Sequence, residues 1–522
     1  MTLGPDPGQL SRPATGPGWV SAVARWATSG VGLATLAGAV LRLAFLARQP
    51  IGYDEDFTAV TVHQTPARMF EIVSHDSAPP LFYALERTVI AAFDGLGLAG
   101  LGGPGGPVSL RLLPALAGVA LIPLVAEIGR RVAGDRAAFW TALFVAFCPS
   151  TVWLSGFARM YGLAAVLVVA ATLLLWRAVD GPAGQPSGDR PLRRPKAAWM
   201  AYVVCAAAAA WTDYFSIVAL AGIAVAALWL RPGIRNAAAI AIASGVAVAS
   251  LLPWFLVASA QLQHSSQGFW VGPLSLGALQ GTLGQLLAGP RVPGEVPSSA
   301  LLDALQGAVI VVWLVALLRL AVSWRGMRAE TRRGAAFSLL ACGGVLVLVG
   351  VSLWRPILDA RYAGLMWMPM FALAGAGLAM LPRSAAALGV AVALASSLSL
   401  SIPITHTQAR DLIPDIEAQA GPHDLVATTT DQYLILLDEA DADVRAKLHL
   451  LRPDDPPWFS GTAAYPAGAV LHAVPADVVA NRGRVFWVAA PGRQPAPLPA
   501  GYRVVESRCV FQACLTVYGP PA

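Results

Sequence analysis

The chain has 522 residues, of which 56% are hydrophobic and 13% charged, with a mean hydropathy of +0.61. Soluble domains carry about 25% charged residues, so the composition excludes a large soluble enzyme and implies a polytopic membrane protein. The net charge of +6 comes mostly from arginines in short clusters between apolar runs, a pattern of membrane topology and not of nucleic-acid binding.

Residues 1–27 are polar and rich in Gly and Pro, and are expected to form a cytoplasmic tail. The apolar run after them, 28–47, is long enough to stay in the bilayer, so no cleavable signal is expected. Directly behind it, residues 51–81 hold Asp54, Glu55, Asp56, Glu71 and Asp76 with His63 and His75, in a chain that otherwise avoids charge. A merely solvated loop would also carry acids. Here, however, Tyr53, Phe57, Met69, Phe70, Phe82 and Tyr83 are threaded among them, which predicts a loop lying on the membrane surface. Acids at that depth are functional candidates.

An amphipathic run follows at 79–93, then a Gly-rich loop to 107. Further spans are predicted at 110–128, 137–152, 161–175, 197–211, 214–230, 237–258, 300–320, 335–354, 362–380 and 385–402. If 79–93 crossed the membrane, Arg130, Arg131 and Arg136 would fall outside, as would Arg190, Arg193, Arg194 and Lys196. Laid on the surface as a juxtamembrane helix, it puts those clusters inside, together with Arg231, Arg235, Arg325, Arg328, Arg332 and Arg333, as the positive-inside rule requires. The expectation is therefore eleven spans in a domain 28–402, a first external loop 48–109, a cytoplasmic N-terminus and an external C-terminus, in the plasma membrane. All seven histidines (His63, His75, His264, His406, His423, His449, His472) then fall outside, with the segments 149–160, 261–299 and 355–361.

From 403 to 522 the composition is that of a soluble domain, and a small external α/β unit is predicted. Residues 424–428, 484–489 and 502–506 read as strands and 431–439 as a helix. Cys509 and Cys514 are close in sequence in an oxidising compartment, where a disulfide is expected. Cys148, Cys205 and Cys342 sit in spans as small apolar fillers. The run Asp438, Glu439, Asp441 and Asp443 lacks the glycine-bearing spacing of a calcium loop and is expected to be a solvated helix end.

On the outer face of a membrane no nucleotide-activated donor is at hand, whereas lipid-linked phosphosugars arrive inside the bilayer with a good leaving group attached. The protein must then add a base for the acceptor hydroxyl and a cation for the departing phosphate. Several motifs agree with such chemistry. Tyr53-Asp54-Glu55 and Asp76-Ser77-Ala78-Pro79-Pro80-Leu81 follow the first span, and Ala158-Arg159-Met160-Tyr161 heads a later one. Thr212-Asp213-Tyr214-Phe215 joins two spans, Leu252-Pro253-Trp254 precedes the long loop, and Arg361-Tyr362 opens a late span. In order and sidedness, over roughly residues 30–400, these resemble the GT-C superfamily of polyprenyl-phosphate-sugar-dependent glycosyltransferases, in its protein-mannosyltransferase and aminoarabinose-transferase-like branch.

The resemblance implies that Asp54 is the catalytic base of an inverting transfer, with Glu55 orienting the acceptor or helping to hold a cation and Asp76 as the second acid of the loop. It implies donor-phosphate contacts from Arg159, Tyr161, Arg361 and Tyr362, with Asp56, His75 and Asp213 as acceptor or accessory residues. Three positions depart from the pattern: Ala78 and Asp213 stand where the family has His, and Phe157 where it has Glu. That weakens a histidine-containing metal site at the usual places. A divalent cation on Asp54, Glu55 or Asp76 and arginine acting alone both stay open. The implied donor is a mannose or arabinose-like polyprenyl phosphate, and the implied acceptor an external glycan, lipid or protein. An ion-coupled transporter or flippase, and an inactive binder of lipid-linked sugars, are the alternatives. Transporters place ionisable groups mid-span and repeat internally; here the spans hold almost no mid-span acids and no repeat is detected.

Overall fold

The computed structural model describes residues 25–47, 51–98, 100–101, 106–180, 196–259, 261, 269–290, 300–401, 409–495, 498–510 and 513–521. His264 and His406, the cluster Arg190, Arg193 and Arg194, and much of the long loop 261–299 lie outside them.

A helix lies over each of the eleven expected spans. The first is α1 (Gly30–Ala44), capped by the Ser29 hydroxyl, which accepts from Gly32 N–H. The acidic stretch is itself helical, as α2 (Tyr53–Val62) and α3 (Pro66–His75), and 79–93 becomes α4 (Leu81–Gly95). The 41-residue α5 (Pro107–Phe147) turns back at Ala133 and Gly134, where Gly134 takes φ 79°, so the two expected spans there form one bent element. A short α6 (Pro149–Ser155) leads to α7 (Tyr161–Asp180), followed by α8 (Lys196–Thr212), α9 (Phe215–Leu230), α10 (Ile234–Ala249) and α11 (Leu252–Val257). Next come α12 (Leu276–Ala288), α13 (Ala300–Ser323), α14 (Ala329–Ala341), α15 (Gly344–Val351), α16 (Ala360–Ala379) and α17 (Arg383–Ser401).

Among the described residues seven helical segments are long and apolar enough to cross a membrane; Gly30–Ala44 and Phe215–Leu230 are apolar but shorter. Neither α4 nor α8 is among them. Side chains such as Leu256, Trp354 and Leu346 are at least three-quarters exposed, as they would be against lipid tails. At the centre, α16 packs on α5 and α13 through small residues. A Cβ on Gly375 would meet Thr141 Oγ1 at 2.0 Å, and one on Gly377 would meet the Ala316 carbonyl at 1.9 Å, so the helices approach as closely as small-residue seams allow.

The two ends of the bundle differ in chemistry. At one end Arg131 lies over the Trp176 ring, Arg231 pairs with Asp180 at 3.2 Å and Arg136 donates to the Leu381 carbonyl at 3.0 Å. A twenty-residue helix spans about 30 Å, so the opposite end, where α7, α9 and α16 begin, lies roughly that far away. There sit α2, α3 and the C-terminal domain.

That domain carries a six-stranded sheet in the order β3-β2-β1-β4-β6-β5. Its strands are β1 (Leu425–Thr428), β2 (Leu448–Leu451), β3 (Val470–Leu471), β4 (Val485–Ala489), β5 (Arg503–Cys509) and β6 (Cys514–Gly519), and the first four are parallel. The helices α18 (Ile413–Gln419), α19 (Thr430–Glu439), α20 (Ala442–Lys447) and α21 (Ala476–Ala480) accompany them. The disulfide Cys509–Cys514 closes the β5–β6 hairpin. The helix α19 packs on α2, the Tyr53 hydroxyl donates to the Ser460 carbonyl, and Arg410 donates to the Ile51 carbonyl at 2.8 Å.

Candidate active site

Three consecutive acids begin α2, and a helix turns each by about 100° from the last, so they address three neighbourhoods. Asp54 stands in the first turn, where the helix N-terminus favours negative charge, and its carboxylate, about two-fifths exposed, pairs with Arg361. Glu55 is buried at 2% exposure and saturated. Its Oε1 accepts from Arg111 Nε at 2.7 Å and Ala158 N–H at 2.9 Å, and its Oε2 from Arg111 Nη2 at 2.6 Å and Gly52 N–H at 3.0 Å. Because Arg111 also donates to the Leu46 carbonyl at 2.9 Å, this node ties the end of α1, the start of α2 and the segment before α7 together. Glu55 therefore has no oxygen left for an acceptor or a cation. Asp56 faces the C-terminal domain, away from Asp54.

Around Asp54 the structure gathers most of the other sequence candidates. Arg361, at the start of α16, is held by Asp359 at 3.2 Å through Nε and lies under the Trp270 ring at 4.5 Å. Arg159, 7% exposed, has its Cζ 5.5 Å from the Phe57 ring and lies within electrostatic reach of Asp54, Asp76, Asp213, Tyr83 and Tyr161. Four buried polar atoms here have no hydrogen-bond partner among the described residues: Arg159 Nε, Asp76 Oδ2, Asp213 Oδ2 and the Tyr83 hydroxyl. Buried polar atoms are nearly always satisfied, so these four are available to hydrogen-bond a polar group bound between them. Burial pushes the Asp76 carboxyl up, against the pull of Arg159. It pushes Asp213 up to about 7, against the Phe215 N–H, which donates to Asp213 Oδ1 at 2.7 Å, and against Arg159. His75 stands apart, exposed at the end of α3 with its Nδ1 at the Glu71 carbonyl, 2.9 Å away.

Aromatic rings wall the pocket. Phe157 stacks on Tyr161 with centroids 6.2 Å apart, Tyr161 meets Tyr362 edge-on at 5.9 Å, and Tyr362 stacks on Phe215 at 4.1 Å. Phe269 reaches both Tyr362 and, from the C-terminal domain, Trp458. Phe157, where a carboxylate would sit in the resembled pattern, contributes a ring face 6.0 Å from the Arg361 guanidinium. Asp54, Glu55 and Asp76 do not converge as three ligands, since Glu55 is fully engaged and Asp54 is held by Arg361; two guanidiniums, Arg159 and Arg361, stand at this pocket.

Sequence reasoning missed Arg111, Tyr83 and Asp359. Arg111 carried a signal, a lone arginine inside the head of an apolar span; Tyr83 was read only as an aromatic of the acidic stretch, and Asp359 carried no signal. Of the acidic run in the C-terminal domain, Asp443 is exposed as expected and Asp441 caps α20 through the Val444 N–H at 2.7 Å. Asp438 and Glu439 instead turn inward, because the end of α19 is packed against α2.

No protein-family model and no curated protein matches the sequence. Among solved structures, ArnT from Cupriavidus metallidurans in the apo state superposes with a TM-score of 0.62 at 15% identity, over 95% of this chain and 98% of ArnT. The same protein bound to undecaprenyl phosphate gives 0.54 at 14%, over 93% and 97%. The oligosaccharyltransferase AglB from Archaeoglobus fulgidus, in complex with an inhibitory peptide and a dolichol-phosphate, gives 0.50 at 14%, over 80% of this chain and 64% of AglB. The likeness is one of fold, shared with ArnT over nearly the whole chain and with AglB over four-fifths of it.

Proposed function

From that shared fold and the pocket at its mouth, we propose that the chain is an inverting membrane glycosyltransferase, moving a mannose or arabinose-like sugar from a polyprenyl-phosphate carrier to a hydroxyl of an external glycan, lipid or protein. Its place is the plasma membrane, with the N-terminus in the cytoplasm and the C-terminal domain outside. The observation that carries this is the partnerless polar set around Arg159, beside the Asp54–Arg361 pair. An anionic phosphodiester would supply the acceptor oxygens that Arg159 lacks.

In this scheme the donor phosphate takes the guanidiniums of Arg361 and Arg159, with Tyr161 and Tyr362 beside them, and draws Arg361 off Asp54. The freed Asp54 carboxylate accepts the proton of the acceptor hydroxyl as that oxygen attacks the anomeric carbon from the face opposite the phosphate. The bond from the anomeric carbon to the phosphate oxygen breaks, and its electron pair leaves with the polyprenyl phosphate, whose added negative charge the two arginines stabilise. Asp54 ends protonated and returns the proton to water. Burial raises the pKa of Asp76 and of Asp213, which lessens their repulsion of a nearby phosphate, and Glu55 acts by holding α2 in place. The aromatic wall suits the apolar face of a sugar ring and the first prenyl unit.

The test is transfer from a panel of radiolabelled polyprenyl-phosphate sugars to membrane extract, by purified wild type and by Asp54→Asn. Transfer by the wild type, with a loss of about 10²-fold or more in the variant and retained donor binding, supports the assignment. Equal transfer by both removes Asp54 as base. No transfer from any donor by folded protein turns the assignment toward a transporter or a binding protein.

A further inference from the structure

Asp56 has no part in that scheme, and its setting calls for a different explanation. Its side chain is fully buried, and neither carboxylate oxygen has a hydrogen-bond partner among the described residues. It points across the interface at Asp438 and Glu439, the last residues of α19, and one oxygen from each of the three carboxylates lies within 4.8 Å of the others. The surrounding charges can be named. Arg410 pairs with Glu439 at 2.8 Å and spends a second N–H on the Ile51 carbonyl. His63, on α2, has its Nδ1 at the Ala59 carbonyl, 2.7 Å away, and Glu55 next door is matched by Arg111. Arg445 has its Nε at the Asp441 carbonyl, on the rim. Arg410 also acts on Asp56 and Asp438, and His63 and Arg445 act on Asp438, yet neither oxygen of the buried Asp56 carboxylate has a hydrogen bond among the described residues, a costly arrangement unless a cation or a proton joins it.

Geometry favours a cation. Three carboxylates from two separate parts of the fold converge on one point, and carboxylate oxygens are the ligands of hard divalent ions. Oxygens on one calcium ion, bound at roughly 2.4 Å, stand at most about 4.8 Å apart, a limit these three meet, and calcium tolerates the irregular shells that magnesium resists. An entry path exists as well: Asp438 and His63 line a cleft of about 680 Å³ between α2 and the C-terminal domain, with room for the waters that complete such a shell. We propose that Asp56, Asp438 and Glu439 form a calcium-type divalent-cation clasp that fastens the C-terminal domain onto α2, and so fixes the helix on which Asp54 stands two residues away.

The proposal is tested on the full-length protein in detergent, stripped with chelator and titrated with CaCl₂, MgCl₂ or MnCl₂ while its thermal unfolding is followed. Calcium is expected to raise the unfolding temperature by about 3 °C or more in wild type and in Asp54→Asn, and to lose that effect in Asp438→Asn. Should Asp438→Asn fail to fold, Glu439→Gln carries the same expectation. Absence of a shift with all three ions overturns the clasp in favour of a proton shared between Asp56 and Asp438. A calcium shift undiminished in Asp438→Asn, or abolished by Asp54→Asn, overturns it in favour of binding elsewhere. Because unfolding is read independently of transfer, either result leaves the transferase assignment to its own test.

Discussion

Asp54 and Glu55 are neighbours in sequence, each pairs with an arginine, and the two pairs belong to different worlds. Asp54–Arg361 sits at the mouth of the pocket with side chains 38% and 21% exposed, whereas Glu55–Arg111 is sealed at 3% and 4%. The open pair is a poised contact that an incoming phosphate can exchange. The sealed pair is scaffolding, with both carboxylate oxygens doubly bonded to donors. A one-residue step on a helix separates the two roles, and the next step sends Asp56 to a third place, so a dense acidic run in sequence is not one acidic site in space.

The sharpest way to test the distinction is to remove the sealed pair. Glu55→Ala leaves the Arg111 guanidinium uncompensated and strips the partners of the Ala158 and Gly52 N–H groups. Breaking a buried pair from one side costs about 3–5 kcal/mol, so we expect a lowered unfolding temperature and a sharply reduced yield of monodisperse protein. A stability near that of wild type would mean that the node is not what holds α2.

Arg361→Lys probes the open pair. Lysine keeps the charge but loses the planar fork that engages Asp359, Asp54 and a phosphate together. One or two charged hydrogen bonds are worth about 1.5–3 kcal/mol, which predicts a roughly 10- to 150-fold fall in kcat/KM for the lipid donor at nearly unchanged stability. Equal losses in transfer and in stability would place Arg361 with Arg111 as scaffolding.

Much of this division was out of reach of the sequence, for physical reasons. The spans were legible because lipid demands long apolar runs, and arginine clusters mark the end of the bundle opposite the pocket. The strands β1, β4 and β5 and the helix α19 were legible as continuous apolar or periodic segments, whereas β2 and β6 were not read and β3, of two residues, is too short to show a period. The pocket's members came through motif order. What local pattern could not show was direction: which of three successive carboxylates faces Arg361, which faces Arg111 and which faces Asp438 depends on the rotation of α2 about its axis, and long-range packing sets that rotation.

Asp213 supplies a smaller, pH-dependent contrast. Its folded pKa of about 7 lies above the ordinary carboxyl value of about 3.9, so the folded chain holds this proton over a range where the unfolded chain has lost it. That contribution to stability is full below about pH 4, declines as pH rises toward 7 and is gone above it. Wild type should therefore lose stability relative to Asp213→Asn by roughly 1 kcal/mol or less per pH unit between pH 5 and 7, read as converging unfolding temperatures. A difference that does not change with pH would mean that Asp213 is ionised throughout, and that Arg159 is already compensated without a donor.

The smallest expected effect is the most informative about the open pair. Asp54→Asn removes a charge from a contact that water reaches, and exposed ion pairs are worth about 0–1 kcal/mol. Its oxygen can still accept from Arg361, and the neighbouring Glu55 node still fixes the start of α2, so the unfolding temperature should stay within a degree or two of wild type while transfer is lost. A base can be this dispensable to the fold only where the scaffold is built by other residues. If Asp54→Asn instead destabilises the protein as strongly as Glu55→Ala, the Asp54–Arg361 contact is part of that scaffold, and the exchange of Asp54 for a phosphate on Arg361 would be too costly to serve as a catalytic step.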